Sequence, residues 1–564
     1  MINTPWLNNY GDVAHNLEYF SGSMYDFVKT CANKYPNFIA YDFFGKKTSY
    51  KQFLIKIEYT AKALAHLGVK KGDRITIALP NCEQAVVMFY AVNMVGAVCN
   101  MIHPLSSKNE IKFYLCESKS SFAITLDSFL NKFIDILDDT PTKKVIVTSI
   151  SDALPFLLKV TFNLKNTPQP VTGDKIISYS EFIRGGKAVG PDVYHKANDN
   201  DVAVILYSGG TTGATKGILL SNKNFNALSA QIIATNPMFK AGDKMLAVMP
   251  IFHGFGLGVS IHSMLTNGGR CILVPRFTPK SYAKLIVKHK CNFIAGVPTL
   301  FEALTRQNEI KGNCLKHLKG VFSGGDTLSV ELKAKFDAFL KEHGATVQIR
   351  EGYGTTECVT ASCLTPVHLY KKGSIGQPFP DMLYKIVKPD TDTELGFNEE
   401  GEICISGPTV MLGYMDSPDE NQKVLKTHAD GLTWVHTGDL GTMDEDGFVY
   451  FKGRIKRIIV TSGYNVYPAQ LENVIDSLEF VKMSCVIGVD DDLKMKKIKA
   501  FVMLNDNADA SDSTKAKIFE HLKNNVAKYA MPYDIEFKTE LPKTLVGKVA
   551  YRVLEEQELK NEEK

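Results

Sequence analysis

Short apolar runs alternate with helical periodicity along most of this chain, and that alternation limits its fold more than any other feature. Residues 74–79 (RITIAL), 98–101, 202–206, 245–250 (MLAVMP), 271–275 (CILVP) and 293–298 (FIAGVP) read as strands. Residues 24–35, 50–67 and 107–117 read as helices, the first ended by Pro36 and the second by Gly68. A longer apolar stretch, 85–99, interrupted by Asn93, is too short to span a bilayer and reads as a buried helix. Continuous apolar strands alternating with helices build α/β folds with largely parallel sheets. Several strands run into glycine-rich turns, among them PIFHGFGLG and SGGDTLS. Ligands of open α/β sheets bind beyond the carboxyl ends of the strands, so these turns are expected to converge on one site.

Residues 207–217, YSGGTTGATKG, stand between two such strands. Ser208, Gly209, Gly210, Thr211, Thr212, Gly213 and Lys216 supply backbone N–H groups, hydroxyls and one ammonium, a set suited to a polyanion and above all to a triphosphate. A plain surface turn is the competing reading. The spacing is not that of a Walker A loop, because Lys216 precedes Gly217 rather than Ser or Thr, and it is not a dinucleotide G-x-G-x-x-G. Residues 218–220 read as a second short strand, and Ser221 as the cap of a helix.

The 564 residues are too many for one core. The net charge of 65 − 61 = +4 gives no argument for nucleic acid. Eleven scattered cysteines without a C-x-x-C pair read as thiols of a reducing compartment. No signal peptide, peroxisomal tripeptide or prenylation box is legible, so a soluble cytoplasmic protein is expected, with peripheral membrane contact left open. Residues 150–193 read as an irregular connection. After about Gly407 short antiparallel strands are expected, at 402–405 and 448–451, and then about 110 residues of a small α+β domain. The expected division is 1–453, a hinge at 454–457 and 458–564.

Six motifs in order, from Tyr207 to Arg552, resemble those of the adenylate-forming superfamily, and specifically its acyl-CoA synthetases. They are the loop, PIFHGFG, SGGD (323–326), EGYGTTE (351–357), TGD (437–439) with GRIKR, and PKTLVGKVAYRVL, which carries Lys548 and Arg552. The family often has proline where Thr215 stands. The resemblance implies a large N-terminal adenylation domain, with α/β subdomains and a small β-rich part, and a small mobile C-terminal α+β lid. It implies ATP, Mg²⁺ and CoA as ligands. Gly324, Gly325 and Asp326 would flank adenine, and Tyr353 would stack on it, within the strand-end segment Gly352, Tyr353, Gly354 and Thr355. Thr356 would contact the α-phosphate. Glu357, with Ser208, would hold Mg²⁺. Asp439 would bind the ribose hydroxyls and Arg454 would lie near ribose and phosphate. Lys456 falls at the hinge position. Lys548 would serve adenylation, and the loop of Gly463 would meet the thiol afterwards.

The implied reaction makes acyl-AMP and pyrophosphate from a carboxylic acid and ATP, then transfers the acyl group to a thiol. An acidic residue that would pair with an amino-acid substrate is missing from FHGFG, which favours a plain carboxylic acid. His253, Phe255, Gly256, Gly324, Gly352 and Val359 are expected to line the acyl pocket. A medium- or long-chain fatty acid is the first expectation, in keeping with the opening PWLNNY. An aryl-acid CoA ligase and a free-standing ligase that loads a carrier protein are the alternatives. Lys494, Lys496, Lys497 and Lys499 form a cluster that reads as a solvated face or as a contact for the phosphates of CoA.

Overall fold

The computed structural model describes residues 3–165, 173–208, 215–461, 464–491, 495–505, 507–543 and 549–562. It contains two large, mainly parallel sheets, one antiparallel sheet and a small C-terminal domain, so the expected α/β class holds. The first large sheet has nine strands in the order Gln377–Pro378, Cys363–Leu364, Ile349–Tyr353, Gly320–Ser323, Phe293–Gly296, Lys244–Ala247, Arg270–Leu273, Ile39–Phe43, Lys46–Ser49. Its five strands from Ile349–Tyr353 to Arg270–Leu273 are mutually parallel. The second has eight, in the order Gly413–Tyr414, Lys216–Ser221, Val202–Ser208, Val98–Met101, Arg74–Ala78, Phe122–Leu126, Lys144–Thr148, Ile176–Ser178.

Helix Glu83–Met94 explains how the two sheets share one core. Every residue after Glu83 is buried, as an all-round apolar helix requires. The apolar stretch expected as one helix over 85–99 therefore ends at Met94, and Val98–Met101 is a sheet strand. Helix Asn222–Ala234 starts at Ser221, whose hydroxyl accepts the N–H of Asn224 while Asn224 returns a bond to the N–H of Ser221.

Two expectations are corrected. Residues 150–193 are not mainly irregular: helix Phe156–Lys165, strand Ile176–Ser178 and helix Tyr179–Gly185 lie there. The antiparallel sheet begins before Gly407, at Leu383–Val387, and continues through Gly401–Ser406 to Thr433–Met443, which pairs with both Leu425–Thr427 and Val449–Arg454. The prolines and glycines of 150–193, among them Pro155, Pro168, Pro170, Gly185 and Gly186, masked its helices, and the shortness of the strands hid the early start of the antiparallel sheet. The N-terminal turn Pro5–Asn9 buries Trp6 against Gly447, where a Cβ would lie 2.6 Å from the Trp6 backbone nitrogen.

The C-terminal domain has its own core around Leu471, Ile475, Val486, Val502, Ile518 and Leu522. Strands Val481–Asp491, Met495–Leu504 and Asp534–Phe537 carry helices Pro468–Asp476 and Asp512–Asn525.

Candidate active site

The parallel strands bring the chemistry to one rim. Val202–Ser208 ends at Ser208, and the chain returns as Lys216–Ser221, antiparallel to it, with Ser208 opposite Lys216. Gly209, Gly210, Thr211, Thr212 and Gly213, between these strands, lie outside the described residues. Lys216 forms an ion pair with Glu420 and sits 5.3 Å from the centre of the Tyr414 ring. Lys216 and Lys423 together hold the Glu420 carboxyl down to about 2.

The short strand Gly413–Tyr414 adds to the edge of the loop hairpin. It delivers the Tyr414 hydroxyl to Glu357, whose Oε1 accepts at 2.8 Å. The turn Thr356–Cys358 packs against both loop strands, which brings Glu357 to the end of the sheet that carries Ser208. After it Val359 and Thr360 take φ of 56° and 95°. β-Branched residues seldom adopt positive φ, so this turn is strained. Gly254 and Gly354 make the close approach possible: a Cβ on Gly254 would lie 2.8 Å from the Val359 carbonyl, and one on Gly354 would lie 2.4 Å from that of Thr360.

Ile349–Tyr353 supplies two residues with different tasks. Glu351 is buried and accepts the Leu328 N–H at 2.9 Å, which ties this strand to the segment holding Gly324, Gly325 and Asp326. Burial pushes its carboxyl up to about 8. Local pattern assigns no role to Glu351, although it opens the EGYGTTE motif. Tyr353 donates its hydroxyl to Asp439 Oδ2 at 2.7 Å. Asp439 also faces Arg454, its strand partner, with Nε 3.0 Å from Oδ1. That carboxylate raises the Arg454 guanidinium further. Asp326 is exposed and accepts the N–H of Thr327.

A buried network shapes the turn before Asp439. Glu402 accepts from the Gly438 N–H and from His436 Nδ1, both at 2.8 Å, and His436 Nε2 lies 2.9 Å from His428 Nε2. Glu402, Cys404 and His436 are the one group among the described residues whose donor atoms gather as metal ligands do. Two of the three are already hydrogen-bonded to each other, and the network holds Thr437-Gly438-Asp439. Sequence reasoning missed Glu402 and His436; the register of two antiparallel strands brings them together.

Of the six residues expected around an acyl group, Phe255, Gly324 and Gly352 line one apolar pocket. It runs between Gly324, Gly325 and Gly352 at one side and Ile232, Val259, Phe322, Leu364 and Phe379 at the other, with Phe255 beside them. None of its lining residues is charged. His253, Gly256 and Val359 do not line it. His253 is half-buried, and its Nδ1 accepts the Phe255 N–H at 3.2 Å. Gly256 is enclosed by the Pro250 carbonyl, 2.1 Å from where its Cβ would be. Segment Phe255–His262 is a π-helix, whose wider turn moves Val259 into the lining.

In the segment 454–457, Arg454 is bound to Asp439 of the large domain, whereas Arg457 is bound to Glu472 of the small one, and exposed Lys456 lies between them. Lys548 and Gly463 lie outside the described residues, as does Lys494. Lys499 leaves the proposed lysine face: its ammonium is buried between Glu558 at 2.7 Å and Glu536 at 2.8 Å. Lys497 stands 4.8 Å from the Tyr533 ring centre.

Glu357 beside the antiparallel pair Val202–Ser208 and Lys216–Ser221, and Asp439 on the antiparallel sheet, thus belong to a large domain that a small terminal domain follows. Residues 28–415 match the AMP-binding enzyme family and residues 470–548 match the AMP-binding enzyme C-terminal domain, and the chain belongs to this family. It is 34% identical over 567 residues to a long-chain-fatty-acid–CoA ligase of Bacillus subtilis (strain 168), covering 99% of this chain and 98% of that protein. To the protein of the same name from Yersinia pestis it is 31% identical, covering 98% of each. The structure of an anthranilate CoA ligase, AuaEII, in complex with anthranoyl-AMP superimposes with a TM-score of 0.84 at 21% identity, over 98% of this chain and 100% of that one, which shows a shared fold.

Proposed function

We propose that this chain activates an unbranched medium- or long-chain fatty acid with ATP and passes the acyl group to CoA. The carrying observation is the uncharged apolar pocket that opens at Gly324 and Gly352, beside the strand ends of the nucleotide motifs. The full-length similarity to proteins named long-chain-fatty-acid–CoA ligases supports the same substrate class.

In the first half a carboxylate oxygen attacks the α-phosphorus of ATP and the bond to pyrophosphate breaks. In the second the CoA sulfur attacks the acyl carbon, AMP leaves, and the thiol proton passes to solvent. The substrate is its own nucleophile, so the protein's work is orientation and charge stabilisation. Asp439 would accept the two ribose hydroxyls, a bidentate task for which a carboxylate is suited. Tyr353 would stack on adenine, with Gly324–Asp326 at its edge, held by Glu351. Gly209–Gly213 and Lys216 would take the β- and γ-phosphates, and Thr356 the α-phosphate. Lys548 would reach the α-phosphate from the small domain.

The Glu357 carboxylate and the hydroxyls of Ser208 and Thr356 would supply oxygen donors, the kind of set that Mg²⁺ prefers. Bound there, the ion would neutralise phosphate charge. The small domain, 458–564, would turn about 454–457 between the two halves and bring Gly463 to the thiol. A cytoplasmic location suits eleven free thiols.

ATP-dependent pyrophosphate release, measured across saturated acids of four to eighteen carbons with and without CoA, tests this reading. Activity should climb with each added methylene, by about fourfold while the chain is being buried, and then fall when the pocket is full. A flat series, or preference for aryl acids, overturns the fatty-acid assignment. AMP release that needs a carrier protein instead of CoA overturns the acceptor.

A further inference from the structure

Helix Phe156–Lys165 turns the usual rule of amphipathic helices inside out. Its sequence, FLLKVTFNLK, contains no acidic residue and two lysines. At helical spacing Phe156, Leu157, Val160 and Leu164 fall within one stripe about 100° wide. That stripe is the exposed one. Leu164 is 81% exposed, Phe156 and Leu157 are each 77% exposed and Val160 is 43% exposed, with respect to the described residues. Leu164, Phe156 and Leu157 are the three most exposed large apolar side chains described in the chain. The opposite face carries Phe162, which packs on the core of the large domain, and Leu158, which is 44% exposed. The helix is therefore anchored by one side and presents an apolar ridge by the other. Exposed leucines scattered singly are ordinary, but a contiguous set on one element marks an interaction surface.

We propose that this ridge is a membrane-docking element that inserts into the surface of an anionic lipid bilayer. Its shape and size favour lipid over protein. Four side chains on a convex ridge about 15 Å long fall far short of the roughly 800 Å² per partner that a stable dimer buries. A lipid surface needs no complementary groove. Lys159 stands at the margin of the stripe, where its ammonium complements anionic headgroups, and no carboxylate on the helix opposes it. The ten residues are too few to cross a bilayer, and no helix among the described residues is long and apolar enough to do so. The helix thus lies in the interface.

The position fits the work of the large domain. The helix leaves the carboxyl end of strand Lys144–Thr148, which is parallel through its neighbours to Val202–Ser208, so it rises from the same rim of the second sheet as Ser208. Docking would set that rim toward the lipid, where apolar acids partition. The inference stands on the helix and not on the acyl assignment: an aromatic substrate would leave it intact.

The test is co-sedimentation of the full chain with vesicles of phosphatidylcholine alone and of phosphatidylcholine mixed with phosphatidylglycerol. The wild type should bind the mixed vesicles. Leu157→Ser combined with Leu164→Ser should weaken partitioning roughly tenfold or more, while turnover of a short, water-soluble acid stays unchanged. Lys159→Glu should lower binding to the mixed vesicles more than to neutral ones. Phe156→Trp supplies a probe on the ridge itself, because both native tryptophans, Trp6 and Trp434, are buried. Its fluorescence should shift to the blue on vesicles and be quenched by lipids brominated near the headgroup. Failure of the wild type to bind either vesicle, equal binding by the double variant, or an unquenched Trp overturns the proposal. So does a wild-type dimer in sedimentation velocity that the double variant lacks, which would assign the ridge to a second copy of the chain.

Discussion

Tyr353 and Asp439 are joined by a 2.7 Å hydrogen bond between side chains 86 positions apart, one on the last parallel strand of the nine-stranded sheet and the other on the antiparallel sheet. Asp439 is nearly fully buried and its other oxygen faces Arg454, so its charge is held in place before any ligand arrives. If it accepts the ribose hydroxyls, Asp439→Asn should lower kcat/KM for ATP by about 10- to 100-fold, the scale of a charged hydrogen bond. Tyr353→Phe removes only the hydroxyl and should cost less than the Asn variant. Acid-dependent pyrophosphate exchange at varied ATP measures both, and equal losses would remove ribose binding from Asp439.

Glu351 makes a pH prediction. Its folded carboxyl titrates near about 8, above its ordinary value of 4.5, because burial disfavours the charge. A raised folded value means that its contribution to stability is complete below the unfolded value and is lost as the pH rises through about 8. Glu351→Gln keeps an oxygen for the Leu328 N–H and cannot ionise. Its Tm should therefore rise relative to wild type as the pH goes from 5 to 8, when followed by circular dichroism. A constant difference across that range would show that Glu351 titrates normally.

Glu357 faces the loop strands and binds the Tyr414 hydroxyl at 2.8 Å. Glu357→Gln should raise the Mg²⁺ concentration needed for half-maximal adenylation and lower the saturated rate by about 10²-fold, the scale for losing one oriented charge-stabilising group. Tyr414→Phe should leave the Mg²⁺ dependence within a few-fold of wild type. An unshifted Mg²⁺ titration in the Gln variant would place the ion elsewhere.

Lys456 is exposed between Arg454, which pairs with Asp439, and Arg457, which pairs with Glu472. Lys456→Pro would fix φ near the value of the short helical turn in which it lies. Acyl-AMP formation should stay near normal and thioester formation should fall, as separate half-reaction assays would register. Full CoA-dependent turnover would move the hinge to another residue.

Gly324 lines the pocket with ordinary space around it: a Cβ there would lie 3.4 Å from the Gly352 carbonyl and 3.6 Å from the Phe255 ring. Gly324→Val should fold, and its side chain would take room from the acyl group. The chain-length optimum should shift toward shorter acids, with the largest loss for the longest. A uniform loss at every length would mean that the acyl chain runs elsewhere.

Much of the chemistry was legible from local pattern. The loop at 207–217, EGYGTTE and TGD stand out because phosphate, metal and ribose ligands require particular residue types at short spacing, and strand and helix alternation reveals a parallel sheet through its periodicity. Residues such as Glu402, His436 and Glu351 were not legible in this way. Each acts through a partner on another strand or segment, and nothing in the sequence around it states which strand will lie beside it. The lysines of 494–499 illustrate the same limit: a charge run reads as a solvated face, yet Lys499 is buried between two glutamates.

The sequence by itself determined the α/β class, the family and the order of the nucleotide motifs, because backbone periodicity and ligand chemistry are encoded within a few residues of each other. Tertiary structure alone decided that Tyr353 meets Asp439, that the pocket takes Ile232, Val259 and Phe379 rather than His253, and that the apolar stripe of Phe156–Lys165 faces outward. Helical spacing says that those side chains share a face. Which face meets the core depends on the elements packed around the helix, and those contacts are made by residues distant in the chain.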